Sequence, residues 1–465
     1  MKSIVRGFLV FLSFLSGFSV YAQYLKPDGG GEYVFPHTQC ISESQTRAIS
    51  EEISQNISAL KAQGKLHSNA SVQSVPTLYW PVQQSANFSY PNYYAVDNYV
   101  DLDTVNPDSL LDWNCGTRTY DLIGYNHAGV DIFLWPFSWN MMEAEQVEII
   151  SAADGIIVGL NDGNPDQNCD NSNPSWNAVY VQHAGGYQGW YGHMKTNSLT
   201  SKSIGDSVYT GEYLGLVGSS GVSLGPHLHF ELHDSLGIVV DPYFGPCNTI
   251  SASLWANQKP YYESALNLLL THDSAPSFAA CPFVDTIHAK DYFMPGDLVY
   301  FSTYYRDQLL GQNSTHTIYD PSNTIWNTWV NASTAPHYEA SYWYWNLTLP
   351  SNAQTGTWRF EVTYENQTYS HDFYVGITTG ASEDLAFNSL QVYPNPSTGI
   401  FSISGLDHQD SQVFIKTLQG NVVQECISSD SKEFRVSENI PSGFYLIEVQ
   451  DNSGSVKTGK ILITK

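Results

Sequence analysis

Apolar and polar positions follow several different rules along this chain. The first 22 residues carry Lys2 and Arg6, then an apolar run from 8 to 20, then Val20-Tyr21-Ala22 before Gln23. That order predicts a secretory signal peptide; the run is short for a spanning helix, which needs about 20 apolar residues. Between Ser42 and Leu66, Ile49, Ile53, Ile57 and Leu60 recur at three- and four-residue steps, which predicts an amphipathic helix. From Pro76 to about Pro260 the texture changes to short apolar runs between Gly, Asn and Asp turns. Residues 147–150, 155–160, 178–183, 213–217 and 227–233 read as strands there. Residues 298–305, 342–349 and 357–364 alternate with period two, as sandwich strands do, and 400–403 repeat the pattern near the end.

These patterns divide the chain into a leader 1–22, a polar lead segment 23–75, a β-rich block 76–265, a Tyr/Trp/Thr-rich block 272–377 and a final block 384–465 after the short linker 378–384. The fold class expected is mainly β, with the 272–377 block an Ig-like β-sandwich. The lead segment reads as a propeptide or as a wrap around the second block. No repeat of solenoid type is visible.

Composition changes the picture modestly. The chain has 45 Asp+Glu against 19 Lys+Arg, a formal charge of −26, and losing the leader makes it −28. Charged residues are 14% and aromatics 14%, which argues against disorder as the main state. The shortage of Lys and Arg argues against a nucleic-acid partner. All six cysteines (Cys40, Cys115, Cys169, Cys247, Cys281, Cys426) follow the leader. An exported chain can oxidise them, in any of fifteen full pairings. No C-x-x-C occurs, so a cysteine zinc site is not indicated.

Three segments of the second block carry candidate chemistry. In Asn126-His127-Ala128-Gly129-Val130-Asp131, His127 and Asp131 are four apart in a strand-like context, and i and i+4 share a face. In Gly225-Pro226-His227-Leu228-His229-Phe230-Glu231, His227 and His229 also share a face. Trp190-Tyr191-Gly192-His193 places a lone His in an aromatic turn. Two His and one carboxylate leave a zinc ion Lewis-acidic with an open position, and further His side chains can move protons beside it. Any one of these His alone would ordinarily be a hydrogen-bonded structural residue; the ordered set is more specific.

Those residues resemble the lysostaphin-type (LytM-like) zinc metallopeptidases, whose catalytic domain is called a duplicated hybrid motif. The supporting turns match too: Ala152-Ala153-Asp154-Gly155, Gly205-Asp206-Ser207-Val208, Gly211-Glu212-Tyr213-Leu214-Gly215, Gly218-Ser219-Ser220-Gly221 and Asp241-Pro242. The likeness covers about 120–250. It implies His127, Asp131 and His229 as ligands of one Zn2+, and His193 and His227 as catalytic histidines. It also implies peptidoglycan cross-links or Gly-rich peptides as substrates, and some relatives are latent until an N-terminal segment leaves the groove. This chain departs by a long insertion, 161–176, which would reshape one groove wall.

Within the insertion, Asp162, Asn164, Asp166, Asn168 and Asp170 alternate as calcium-binding oxygens can, although turn-making is the commoner use and the central Gly and terminal Glu of an EF-hand loop are missing. His183 and His233 read as supporting residues rather than ligands.

The final block carries Tyr393-Pro394-Asn395-Pro396-Ser397-Thr398-Gly399 and a basic end. It resembles the C-terminal sorting domain of the type IX (Por) secretion system. That implies export through the periplasm and outer membrane and contact with the secretion machinery. The chain is thus expected to be a secreted or cell-surface zinc metalloendopeptidase, monomeric, with a small β-sandwich sorting domain. The rival is a non-catalytic surface adhesin in which 272–377 does the binding and the peptidase is vestigial.

Overall fold

The computed structural model describes residues 23–36, 38–66, 75–86, 88–169, 172–281, 285–376, 391–393, 397–404, 412–417, 422–427, 433–437, 439–441, 443–450 and 456–463. The leader, the linker 378–384, Asp170 and residues 394–396 of the sorting motif lie outside them. The protein is mainly β. The described residues form two units, within 1–376 and 377–465.

In the first unit, an antiparallel sheet runs in the order Ser207–Val208, Gly155–Asn161, Ala178–His183, Gln188–Gly192, His227–His233, Gly129–Leu134, Tyr94–Val96. A second sheet, Tyr213–Leu216, Val147–Ile150 and Val82–Gln84, packs on it. The period-two pattern decides which face meets it. Leu228, Phe230 and Leu232, with Val130 and Ile132 from the neighbouring strand, enter the core against Val147, Ile149 and Leu214. Burying each such side chain contributes roughly 1.5–3 kcal/mol. The same alternation sends His227, His229, Glu231, His233 and Asp131 to the opposite face.

The Tyr/Trp-rich block is a sandwich. One sheet contains Ile325–Ala332, Asn313–Tyr319, Gly356–Tyr364 and Gln367–Val375, and the other contains Ala265–His272, Leu298–Leu309 and His337–Thr348. Leu266, Phe301, Tyr305 and Trp345 meet Ile318, Trp329, Phe360 and Phe373 between them. The strand Ala265–His272 spans the expected join of the second and third blocks and pairs with Leu298–Leu309. The Trp135 indole donates to the Tyr305 carbonyl (3.0 Å) and Asn267 Nδ2 to the Tyr94 carbonyl (2.9 Å), tying the sandwich to the seven-stranded sheet.

The lead segment is woven into both. Gln23–Tyr24 pairs parallel with Ile325–Ala332, and Gly29–Tyr33 pairs antiparallel with His337–Thr348. The helix spans Glu43–Ala62, within the expected 42–66, with Ser42 as its N-cap and Gln63 as its C-cap: the Gln45 amide donates to Ser42 Oγ (3.3 Å) and the Ser42 amide to Gln45 Oε1 (3.0 Å). Its Ile53 and Leu60 are buried with Val158, Tyr180 and Trp190.

Two disulfides form, Cys115–Cys247 and Cys169–Cys281, leaving Cys40 and Cys426 as thiols. The second unit packs Val413, Ile415, Ile447 and Ile461 of one sheet with Phe401, Ile403 and Phe434 of another.

Candidate metal centre

The register of three neighbouring strands assembles the site. His229 lies opposite Asp131 on one side and Gly192 on the other. His193 follows Gly192 directly, at a left-handed φ of 57°, an uncommon conformation for a residue with a side chain. His127 is not on a strand. It sits in the bend between Tyr125–Asn126 and Gly129–Leu134, and its side chain returns to the same point as that of Asp131. Gly129 has no substitute there, since a Cβ would lie 2.7 Å from His229 Nε2.

All five predicted site residues are buried and close together. Asp131 Oδ2 lies 3.0 Å from His127 Nε2, and Oδ1 lies 2.7 Å from His229 Nδ1. The two facing imidazole nitrogens are 3.3 Å apart. His227 Nε2 stands 3.8 Å from Asp131 Oδ1, and the rings of His193 and His227 are 4.4 Å apart.

The outward partners fix the protons. His127 Nδ1 faces the Tyr99 carbonyl at 2.8 Å, and a carbonyl accepts only, so Nδ1 carries the hydrogen. His229 Nε2 donates to Glu231 Oε1 at 2.9 Å. In the neutral rings this leaves His127 Nε2 and His229 Nδ1 as lone pairs aimed at each other beside a carboxylate. Such a cluster calls for positive charge at its centre. Two imidazoles and one carboxylate, each oriented by an outer acceptor, suit a Zn2+ ion. By the same logic His193 Nδ1 donates to the Ser220 carbonyl (2.6 Å) and His227 Nδ1 to the Gly225 carbonyl (2.8 Å), leaving both Nε2 atoms as bases. His193 Nε2 is buried without a hydrogen-bond partner. Burial first, and then His227, push the His193 imidazole below its ordinary pKa.

The remaining predicted residues have other work. His183 donates to the Asp154 carbonyl (3.0 Å), and His233 Nε2 meets Glu231 Oε2 at 2.7 Å. In the insertion, Asp162 accepts from the Asn197 amide, Asp166 from the Thr196 and Ser219 amides, and Asn168 Oδ1 from the Asn173 amide. These described oxygens are spent on the loop's own backbone and its neighbours.

Sequence reasoning missed three contributors. Glu231 shares the parity of His229, a signal that was legible. Trp176, from the insertion, sets its ring 5.1 Å from that of His193 and 5.7 Å from that of His229. Cys40, from the lead segment, places its Sγ among the same donor atoms. Nothing local in the sequence marks the last two.

Cys40, His127, Asp131 and His229 thus form a buried group that could hold a metal ion. The family described as Peptidase family M23 matches residues 126–242, and the Secretion system C-terminal sorting domain matches residues 391–464. The chain carries a LytM-type M23 peptidase domain and a C-terminal sorting domain. A stretch of 55 residues is 47% identical to the DD-carboxypeptidase/endopeptidase Mpg of Neisseria meningitidis serogroup B and equally to that of Neisseria gonorrhoeae. It covers 12% of this chain and 12% of each relative, so this chain spans a small part of those proteins. Among solved structures, a zinc-containing peptidase from Vibrio cholerae aligns at 20% identity over 32% of this chain and 36% of its own, with TM-score 0.22. The catalytic domain of lysostaphin from Staphylococcus simulans aligns at 22% identity over 34% and 96%, with TM-score 0.19.

Proposed function

We propose that this chain is an exported zinc metalloendopeptidase that cleaves peptide bonds in peptidoglycan cross-links or Gly-rich peptides. The observation that carries the reading is the convergence of His127 Nε2, Asp131 and His229 Nδ1, with their protons committed elsewhere. These three residues would hold the ion. When bound, Zn2+ supplies a Lewis acid that polarises the scissile carbonyl and acidifies water.

The chain's own residues would do the rest. His193 Nε2, a lone pair held in a buried pocket by the Ser220 carbonyl, accepts a proton from the attacking water and returns it to the leaving amine. His227, fixed through Nδ1, presents Nε2 across the site and, once protonated, donates to the developing oxyanion. Trp176 and the insertion wall exclude water from one side. The name of the Neisseria relatives, and the sorting domain with its implied contact with type IX machinery, support a wall-peptide or extracellular substrate met after export.

The test is digestion of purified muropeptides and of a Gly-rich protein, with and without a chelator, read by mass spectrometry. Cleavage that the chelator stops and Zn2+ restores is the expected result. Binding of cells or glycans by an intact chain that takes up no metal and cleaves nothing would overturn the reading in favour of an adhesin.

A further inference from the structure

We propose that Cys40 is a further ligand of this metal centre, a thiolate carried by the lead segment that fills the ion's open position and keeps the site closed. The inference rests on the metal-centre reading above.

The lead segment reaches the site because it is anchored on both sides. Strand Gly29–Tyr33 is locked into the sandwich, and the Glu43–Ala62 helix packs on strand Gly155–Asn161, with Asn56 Nδ2 donating to the Val158 carbonyl at 2.9 Å. Between them, residues 34–36 and 38–42 cross over the histidines. Phe35 is buried, its ring 4.7 Å from that of Phe133 and edge-on to His227 at 5.5 Å. Gly225 makes room for it, because a Cβ there would stand 2.7 Å from the Phe35 ring. Tyr120 stacks on His127 at 4.7 Å and donates its hydroxyl to the Thr38 carbonyl at 2.9 Å. Cys40 follows two residues later.

Its thiol is placed as a ligand would be. Cys40 Sγ and single donor atoms of His127, Asp131 and His229 all lie within 4.8 Å of one another, and so do Cys40 Sγ and atoms of His193 and His227. Cys40 is 3% exposed and belongs to neither disulfide. A buried free cysteine is ordinarily an inert packing residue among apolar neighbours. This one faces four imidazoles, a carboxylate and the Tyr120 hydroxyl, which is 3.2 Å from Sγ. An independent observation comes from His193, whose Nε2 is buried, without a hydrogen-bond partner, and in the same group as Cys40 Sγ. Finally, the cavity between the lead segment and the site is about 10 Å3, at the lower limit for one water and far too small for a peptide.

The chemistry follows. Two nitrogens, one oxygen and one thiolate make a complete four-coordinate set, whereas catalysis needs one position open. Capping exchanges an S–H bond for an S–metal bond and releases one proton to solvent; no electrons are transferred. With the thiolate in place there is neither an open position nor room for substrate. Activity therefore requires residues 34–42 to leave.

The test uses the full exported chain in a Cys426→Ser background, loaded with Zn2+. Metal content comes first: a chain that binds no metal sinks the metal-centre reading itself. In the metal-bound chain, X-ray absorption should show one sulfur scatterer at about 2.3 Å. Cys40 should resist a thiol reagent until a chelator is added. Cys40→Ser should keep its zinc, lose the sulfur scatterer, and gain about 100-fold in hydrolysis if the capped form is about 99% of the resting population. Bound zinc with nitrogen and oxygen scatterers only, and a thiol equally reactive with and without chelator, would overturn the proposal and leave the metal centre standing. The spectrum of the unsubstituted Cys40 chain decides this even if Cys40→Ser does not fold.

Discussion

His229 and Glu231 are two residues apart on one strand and meet at 2.9 Å between Nε2 and Oε1. Glu231 in turn accepts from His233 Nε2 at 2.7 Å, so one buried carboxylate orients two rings. The bond to His229 holds the proton on Nε2 and turns Nδ1 toward Asp131. Glu231→Gln removes the charge that fixes this tautomer. The expected outcome is a zinc dissociation constant about 10- to 100-fold higher, measured by competition with a chromogenic chelator. An unchanged constant would mean that Glu231 is there for folding alone.

His193 and His227 are tied to carbonyls through Nδ1 and present Nε2 to the site. Neither is among the three converging ligand atoms. His193→Ala should therefore retain near-stoichiometric zinc while kcat on a muropeptide falls about 10²- to 10⁴-fold, as expected for loss of a positioned acid–base group. His229→Ala should lose zinc and activity together. Metal analysis and kcat on the same samples separate the two, and normal kcat in His193→Ala would refute the assignment of its role.

The sequence makes the site face legible and its cover illegible. Leu228, Phe230 and Leu232 show by parity which side of the strand meets the core, so the grouping of His227, His229 and Glu231 on the other face follows from a local rule. The strand register that sets His229 opposite Asp131 is a pairing between residues far apart in sequence, reachable through the family motif but not through periodicity. His127 illustrates the limit: strand parity predicts its partnership with Asp131, but His127 stands between two strands, so parity is not what brings the two together. Cys40 and Trp176 reach the site by tertiary docking of an extended segment and of an insertion, and neither has a periodic signal. The disulfides are equally non-local, with sequence separations of 132 and 112 residues.

His183 and His316 are two of the buried histidines outside the metal site that set the acid limit of the fold, His272 being a third. Burial pushes His183 down to about 4 and His316 down to about 3. His316 is sealed against Trp329, its ring 4.9 Å away and nearly parallel at 5°. In the unfolded chain both would titrate near 6.5, so between pH 6.5 and 4 the unfolded state binds more protons. Stability is then fully present above about pH 6.5 and declines as pH falls, by on the order of 3 kcal/mol for each group. Urea midpoints of the sandwich at pH 7, 5 and 4 should fall in that order, and His316→Phe should flatten the decline. A midpoint that rises toward pH 4 would contradict the sign.

The Cys169–Cys281 disulfide pins the insertion that carries Trp176. With a separation of 112 residues, the chain-entropy argument gives it about 4–5 kcal/mol, and removal of such bridges costs about 2–5 kcal/mol in practice. Other ties hold the insertion locally: Asn168 Nδ2 donates to the Gly221 carbonyl at 2.9 Å, the Thr196 amide to Asp166 at 2.9 Å, and the Trp176 indole to the Tyr180 hydroxyl at 2.8 Å. The double substitution Cys169→Ser with Cys281→Ser should therefore lower the melting temperature without releasing zinc. Hydrogen exchange should accelerate across 161–176 more than in strand His227–His233, and KM for an extended peptide should rise more than kcat falls. Uniform acceleration across both segments would show instead that the bridge stabilises the whole unit and leaves the groove wall untouched.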